Sequence, residues 1–415
     1  MSALRNYLLV TVAYWAFTLT DGALRMLVLL HFHELGYAPV ELAFLFLFYE
    51  LFGVLTNLFG GWLAARLGLR VTLFSGLALQ VVALIALARV DPSWVKATSV
   101  VYVMGAQSLS GIAKDLTKMS AKSSIKVLVP EDQSSALFRW VAVLTGSKNA
   151  LKGVGFFLGG LLLTGLGYAH GLLAMAGALG VVLAGAVVSL PPDMGRSKAK
   201  DKLRGLLSQS REIRILSAAR FFLFGARDIW FVVGVPVFLS ATLGWGFTAI
   251  GTFLALWVIG YGVVQSVTPL ILRRFTGGNA PEGRAAAGLA LGLAVIVGGV
   301  ALALSLGLPG EVVLLGGLGV FGAVFALSSA VHSYLILAYS DGDRVAMNVG
   351  FYYMANAGGR LVGTLLSGVV FQLAGVSGCL WGSAAFALLS GGFAWLLPHG
   401  GAPRALGEGA AEASD

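Results

Sequence analysis

The sequence has 415 residues, of which 58% are hydrophobic and 11% are charged, and its formal net charge is +9. A soluble globular protein carries about 25% charged residues, so this composition excludes that class and predicts a chain whose surface mostly faces lipid. The single cysteine, Cys379, excludes an internal disulfide, and the scattered histidines show no metal-binding spacing, so we expect neither a metal site nor a cofactor.

Twelve stretches of the chain are apolar and about 20 residues long, which is the length that a helix needs to cross a bilayer. In chain order they are residues 7–31, 40–64, 71–89, 97–119, 137–165, 170–190, 214–240, 248–272, 285–307, 312–338, 346–373 and 377–397. The first stretch contains Asp21 and Arg25 and continues beyond the apolar core of a signal peptide. We therefore predict an all-α membrane protein with twelve transmembrane helices, of which this stretch is the first.

Most basic residues outside these stretches or near their ends fall in alternate loops, which indicates the cytoplasmic side of a membrane. They are Arg66, Arg70, Lys122, Lys126, Arg139, Arg196, Lys198, Lys200, Lys202, Arg204, Arg211, Arg214, Arg273, Arg274, Arg284 and Arg344, whereas Arg89 and Lys96 occupy the opposite loops. We expect the protein in the inner (plasma) membrane of a bacterium, with both termini in the cytoplasm. Because topology accounts for the positive charge, no nucleic-acid partner is expected.

A break in composition at residues 191–213 divides the chain into two parts of similar size. This stretch is polar and basic and contains Pro191 and Pro192, so we interpret it as a cytoplasmic linker. It separates a six-helix bundle at residues 1–190 from a second one at 214–398. Residues 399–415 are rich in glycine and alanine and are predicted to form a disordered cytoplasmic tail.

The two parts of the chain also resemble each other. Gly155 and Gly159 in the fifth stretch correspond to Gly359 and Gly363 in the eleventh. Two-fold repetition around a charged linker is typical of secondary transporters, whose binding sites lie between the repeats near the middle of the membrane. We therefore expect a site at the interface of two pseudo-symmetric bundles.

Seven basic and four acidic side chains lie within the predicted helices and away from their ends. The basic residues are Arg25, Lys114, Lys148, Lys152, Arg220, Arg227 and Arg360, and the acidic residues are Asp21, Glu50, Asp115 and Asp228. Each such charge costs about 2.5–3.5 kcal/mol at the centre of a helix on insertion scales. A protein that keeps more cations than anions in this environment is predicted to bind a multiply charged anion.

The lysines of this set are assigned to substrate binding by their spacing. Lys148 and Lys152 share a helix face that has no acid of its own, and Lys114 begins a basic stripe that continues with Lys118. The alternative for the stripe is that its lysines extend towards the membrane surface, which fits its outer end best.

Arginine binds phosphate-like oxyanions in a bidentate manner, so Arg227 and Arg360 are the strongest individual candidates. Asp228 points about 100° away from Arg227 on a helix, so we do not expect it to neutralise both Arg220 and Arg227. Polar residues at similar depth are predicted to complete the coordination, although the tyrosines among them also fit simple packing. They are Asn149, Asn348, Tyr352, Tyr353 and Asn356.

The four acidic residues are assigned to proton coupling or gating. Asp21 lies four residues before Arg25, so the two form either an internal ion pair or a pair that changes partners during transport. Glu50 is predicted to be buried and to exchange a proton. Asp115 and Asp228 are placed in the same group.

One histidine and the absence of enzyme motifs further restrict the chemistry that we expect of this protein. His332 is a second candidate proton carrier, for which a satisfied interior polar group is the preferred interpretation. The sequence contains no phosphate-binding loop and no hydrolase motif, so we do not expect an enzyme or an ATP-driven pump. Energy for transport would then come from a gradient or from a separate protein.

The loop after the second predicted helix carries a recognisable motif. Residues 61–70 resemble the G-x-L-a-D-r-x-G-r-k signature of the major facilitator superfamily, whose members have two six-helix bundles. Ala65 replaces the usual acid and Leu69 replaces one usual base. The acid normally takes part in a charge relay that latches the cytoplasmic gate, and this chain lacks it.

Longer charged stretches, at residues 21–28, 110–122, 144–153 and 218–230, resemble the organoarsenical efflux permeases of arsenic-resistance operons, the ArsJ family. The resemblance implies export of 1-arseno-3-phosphoglycerate by rocker-switch alternating access. A companion glyceraldehyde-3-phosphate dehydrogenase would make this compound from arsenate and triose phosphate. Its breakdown outside the cell would release arsenate and give resistance.

Two other functions stay open on the sequence alone. An organophosphate/inorganic phosphate antiporter would need similar cations, and a membrane receptor or scaffold would bind an anion without moving it. Intramembrane cations in both halves of the chain favour a transporter over a receptor. We expect the transporter to be a monomer.

Overall fold

A computed structural model describes residues 2–128, 134–191, 209–275, 281–340 and 345–398. Within these ranges the chain forms twelve helices and no strand. They are α1 (Ser2–Glu34), α2 (Pro39–Leu45), α3 (Leu47–Leu67), α4 (Leu69–Leu87), α5 (Lys96–Leu128), α6 (Ser134–Ser189), α7 (Arg211–Phe231), α8 (Gly234–Ala241), α9 (Phe247–Phe275), α10 (Gly283–Ser305), α11 (Gly310–Ala338) and α12 (Val345–Trp395).

Several predicted features lie outside the described residues. They include most of the linker, the whole tail at 399–415 and most of the basic loop side chains. The side chains of residues 61–67, with Ala65 of the loop motif, also belong to this group. The domain bounds, the sidedness and the missing gate latch therefore stay predictions.

Two of the helices are long enough to cross a membrane twice, and each reverses at a glycine. α6 has 56 residues and α12 has 51, with non-helical backbone at Gly167 (φ 73°) and Gly375 (φ 62°). A methyl group on Gly171 would lie 3.4 Å from Cβ of Leu162. Nine residues of straight helix would separate these positions by about 14 Å. Since glycine adopts positive φ without steric cost, α6 and α12 each fold into a tight hairpin of two crossings.

The described helices account for twelve membrane crossings. Nine helical stretches in the described ranges are long and apolar enough to span a bilayer, and two of these are the hairpins. α5 supplies the twelfth crossing, because its 33 residues are long enough to span a bilayer. It is not among the nine apolar stretches, since it carries Lys114, Asp115 and Lys118 in its interior. α2 with α3, and α7 with α8, form one crossing each across a short break. The predicted fold class is therefore confirmed.

The two halves pack their helices in equivalent ways. In the first half, a methyl group on Gly159 of α6 would lie 2.5 Å from the carbonyl oxygen of Ala23 in α1. In the second half, a methyl group on Gly363 of α12 would lie 2.8 Å from the carbonyl oxygen of Gly225 in α7. Small residues let membrane helices approach this closely, so the glycine repeat in the sequence corresponds to a packing repeat in the structure.

The halves touch each other closely where α6 passes the beginning of α9. A methyl group on Gly160 of α6 would lie 2.5 Å from the carbonyl oxygen of Phe247 in α9. The hydroxyl oxygens of Thr164 and Thr248 are 3.2 Å apart at the same level. The structure is thus closed at this end, which the predicted topology places on the periplasmic side.

Candidate functional site

A cavity of about 240 Å³ lies between the two halves. The first half contributes residues from α1, α3, α5 and α6, and the second half contributes residues from α7, α9, α11 and α12. The charged side chains of its described lining are Arg25, Lys114, Lys118, Lys148, Lys152, Arg220, Arg227 and Arg360, together with Asp21 and Asp115. The cavity wall is therefore strongly positive.

Most residues predicted to bind substrate line this cavity. They are Arg25, Lys114, Lys118, Lys148, Asn149, Lys152, Arg220, Arg227, Asn356 and Arg360. Tyr352 is instead buried behind Arg220, with the guanidinium carbon 5.1 Å from its ring centroid, and the adjacent Tyr353 reaches the cavity. Neighbouring residues on a helix point about 100° apart, so one of the two tyrosines faces away. Asn348 donates to the Ser340 hydroxyl at 3.1 Å and is not part of the lining.

A chain of ion pairs joins three of the arginines. Nη2 of Arg25 and Nη2 of Arg360 each lie 2.5 Å from the same oxygen, Oε1 of Glu50. Nε of Arg360 lies 3.3 Å from Oδ2 of Asp228, whose other oxygen is 2.5 Å from Nη2 of Arg227. The chain runs from α1 through α3 and α12 to α7, and it crosses the interface between the halves at the contact between Glu50 and Arg360.

A second ion pair is confined to the first half. Lys118 and Asp115, three residues apart on α5, pair directly, and Asp115 is buried. Thr56 of α3 donates its hydroxyl to Oδ2 of Asp115 at 2.7 Å. Lys118 also donates to the side-chain oxygen of Asn57 at 2.7 Å. Lys118 is therefore turned inward at the protein interior and does not extend towards the membrane surface.

Two lysines of the cavity wall form no ion pair within the described residues. The ammonium nitrogen of Lys114 lies 4.1 Å from the ring centroid of Tyr49, and that of Lys152 lies 5.7 Å from the ring of Phe156. An aromatic face stabilises a desolvated cation by about 2 kcal/mol or more, which offsets only part of the cost of burying the charge. Both lysines thus present charge to the cavity without a direct contact to a described carboxylate.

Arg220 is the corresponding cation of the second half. It is 5% exposed, and among the described residues its partners are neutral. Nε donates to Oδ1 of Asn356 at 2.9 Å, and Nη1 donates to the backbone oxygen and the hydroxyl of Ser329, both at 3.1 Å. The ring centroid of Phe224 lies 4.1 Å from the guanidinium carbon. These contacts fix the orientation of Arg220 and leave its charge uncompensated.

The structure corrects one expectation about pairing and agrees with another. Arg25 pairs with Glu50 on another helix, whereas Asp21 accepts a hydrogen bond from the Tyr49 hydroxyl at 2.7 Å. Asp228 pairs with Arg227 and Arg360, whereas the hydrogen-bond partners of Arg220 are Asn356 and Ser329, so Asp228 does not neutralise both arginines of α7, as expected. Glu50 is buried as predicted, but a proton would have to compete there with two guanidinium groups.

His332 differs from the preferred interpretation of a satisfied interior group. It is fully buried in α11, and neither ring nitrogen has a hydrogen-bond partner within the described residues. The imidazole does not reach the cavity lining. A role for it in proton transfer stays a prediction.

The uncharged residues of the cavity wall were not predicted from the sequence. α9 and α11 supply residues without charge, namely Trp257, Val258, Tyr261, Gln265, Ser329 and Ser333. Gln265 accepts a hydrogen bond from Nδ2 of Asn149 at 3.2 Å across the two halves. The signal that could have found it is a polar amide within an otherwise apolar predicted helix. The aromatic residues carry no comparable signal, because they are common throughout membrane helices.

Two equivalent six-helix halves that enclose a charged central cavity define a secondary transporter. The sequence matches the family model of the Major Facilitator Superfamily over residues 8–331. Since this match covers more than half of the chain, the protein belongs to the major facilitator superfamily. No curated protein matches the sequence.

Proposed function

We propose that this transporter exports a small organic anion with two anionic groups, most specifically 1-arseno-3-phosphoglycerate. The observation that carries the proposal is the set of uncompensated cations in one cavity. Lys114 and Lys152 belong to the first half and Arg220 to the second, so an anion that satisfies both sides would bridge the two halves.

The energetics favour a ligand over a permanent structural role for these cations. An isolated charge away from water costs several kcal/mol unless a partner compensates it. Among the described residues, eight cations line the cavity and four carboxylates are buried, so the described wall is net positive. A cargo that carries two tetrahedral oxyanion groups supplies negative charge to such a wall.

The size and chemistry of the cavity point to a short cargo. Its volume of about 240 Å³ is below the range of about 300–1,000 Å³ that is usual for drug-sized ligands. A three-carbon skeleton with an oxyanion at each end fits this description. The rings of Phe156 and Trp257 offer apolar contact for the carbon atoms between the charged ends.

The remainder of the proposal rests on the resemblance to organoarsenical permeases. A glyceraldehyde-3-phosphate dehydrogenase would supply the cargo in the cytoplasm, and export would confer arsenate resistance. The transporter would work as a monomer in the bacterial inner membrane, with both termini in the cytoplasm. Alternating access would open the cavity to one side at a time.

Inside-out vesicles test this function directly. Vesicles that contain the transporter receive arsenate, glyceraldehyde-3-phosphate, NAD and the dehydrogenase, and the arsenic trapped inside is measured. We expect accumulation that requires every component and that falls at least tenfold in Arg220→Ala. Arg89→Ala is the matched control, because Arg89 is an exposed residue in a loop outside the cavity.

The alternatives give different results in the same experiment. A phosphate antiporter would exchange labelled phosphate without trapping arsenic. A receptor or scaffold would bind a phosphate ester without accumulating any anion inside the vesicles. Either result would exclude the export of the organoarsenical.

A further inference from the structure

We propose that Glu50 acts as a built-in competitor of the cargo. In the unloaded transporter it holds Arg25 and Arg360 and so ties the two halves together, and an anion that enters the cavity draws these arginines away from it. This inference rests on the proposed function only in requiring that the cargo is an anion.

The geometry places Glu50 on the far side of the two arginines from the cavity. Glu50 is fully buried and is absent from the described lining, whereas Arg25 and Arg360 both contribute to it. One carboxylate oxygen, Oε1, accepts from both guanidinium groups at 2.5 Å. An anion in the cavity therefore meets the same two side chains from the opposite side.

The arrangement around Glu50 is incomplete for a purely structural ion pair. Its second oxygen, Oε2, is buried and has no hydrogen-bond donor within the described residues. The strongest arginine–carboxylate contacts are bidentate and use both oxygens. A cargo oxyanion with several free oxygens can offer each arginine a better partner than the shared Oε1 atom.

The pairing also determines which contact would break. Arg25 and Glu50 belong to the first half, so their contact does not hold the halves together. Arg360 belongs to the second half and is also bound to Asp228 of that half. Loss of the contact between Glu50 and Arg360 would leave Arg360 anchored in its own half and remove one tie across the interface. Anion binding would in this way favour a change in the relative position of the halves.

Purified transporter in lipid nanodiscs allows both parts of the proposal to be measured. Spin labels at Val95→Cys and Leu306→Cys report the separation of the halves, since these residues are 73% and 72% exposed and belong to different halves. Cys379→Ser removes the natural cysteine from the background. Binding of 3-phosphoglycerate and of sulfate is followed by calorimetry on the same samples.

The test variant is Glu50→Gln, which keeps the shape of the side chain and removes its charge. We expect it to bind 3-phosphoglycerate about tenfold more tightly than the wild type. Without any anion, its distance distribution should match that of the wild type with 3-phosphoglycerate. Asp91→Asn is the control, because it removes a carboxylate that is exposed in a loop outside the cavity. We expect no change in the separation of the halves in this variant.

Glu50→Asp is a second variant that keeps the proposal testable if Glu50→Gln does not fold. It keeps the charge but shortens the side chain by one methylene, so it should give an intermediate distance distribution and intermediate affinity. If Glu50→Gln and Glu50→Asp both keep the distances and affinity of the wild type, Glu50 is a structural residue and the proposal is wrong.

The results also separate this inference from the assignment of the cargo. If the wild type binds sulfate but no phosphate ester, and Glu50→Gln binds sulfate more tightly, competition by Glu50 stands and the organophosphate cargo does not. If neither anion binds to any variant, competition by Glu50 is overturned as well.

Discussion

Nε of Arg220 in α7 donates to the amide oxygen of Asn356 in α12 at a distance of 2.9 Å. A buried guanidinium is thereby oriented by an amide from a neighbouring helix of the same half, and no carboxylate is involved. Arg227 and Arg360, the strongest candidates from the sequence, are already bound to Asp228. The contrast makes Arg220 the arginine with most charge left for a ligand.

Arg220→Ala is expected to weaken anion binding by about tenfold to hundredfold, which corresponds to the loss of one hydrogen-bonded charge, about 1.5–3 kcal/mol. Arg220→Lys should recover only part of this, because a lysine cannot donate to Asn356 and Ser329 in the same fixed geometry. Titration of purified protein with 3-phosphoglycerate measures the effect. Equal affinity in the wild type and Arg220→Ala would exclude Arg220 from the site, and Arg89→Ala serves as the control.

Lys152→Met should raise stability and lower transport together. Methionine fills similar space beside Phe156 and removes a charge without a carboxylate partner, so we expect unfolding to cost about 1–3 kcal/mol more. Transport should fall at least tenfold. Thermal unfolding without anion and vesicle uptake measure the two effects.

Lys118→Met is the matched comparison for that experiment. It removes a lysine from the same cavity but leaves the buried carboxylate of Asp115 without its ion pair, so it should destabilise the fold by about 3–5 kcal/mol. Destabilisation of similar size in both variants would show that Lys152 has a structural partner and would count against the anion site.

Gly363→Ala is expected to destabilise the second half by about 1–3 kcal/mol. Alanine favours a helix over glycine, but the new methyl group would lie 2.8 Å from the carbonyl oxygen of Gly225 and force α12 away from α7. Gly180→Ala in α6 is the control, since a methyl group there meets no atom within 4 Å. Chemical unfolding in detergent compares the two. A stable Gly363→Ala variant would contradict the close approach of these helices.

A disulfide across the closed end should stop transport reversibly. The hydroxyl oxygens of Thr164 and Thr248 are 3.2 Å apart, so Thr164→Cys and Thr248→Cys together place two sulfur atoms within bonding reach. With Cys379→Ser in the background, we expect oxidation to abolish vesicle uptake and reduction to restore it. Each single cysteine variant controls for the substitution itself. Full activity of the oxidised double variant would mean that this end does not open during transport.

The sequence predicts the fold well because lipid imposes simple rules on it. Length and hydropathy locate most crossings, and charged residues within the apolar stretches mark the cavity wall. The hairpin at Gly167 follows the same logic, since an uninterrupted apolar stretch longer than the membrane must turn back. These properties depend on local composition and are therefore readable from the chain.

The sequence does not predict in the same way which charged side chains pair with each other and which side chains face the cavity. Arg25 has Asp21 one helical turn away, yet it pairs with Glu50, because its side chain is directed towards α3. The selection of Tyr353 over Tyr352 for the cavity depends on the rotation of α12, and small changes of helix phase reverse it. The ion-pair partner of an arginine, and the tyrosine that faces the cavity, depend on distances between helices. The spacing of residues along one helix does not give these distances.

Gly167 and Gly375 join pairs of crossings without any intervening loop, so the orientation of everything after them depends on one backbone torsion each. A residue other than glycine at Gly167 would strain this turn by about 1–3 kcal/mol and would loosen the packing of the two crossings that it joins. A single glycine thus determines how closely two successive crossings can pack.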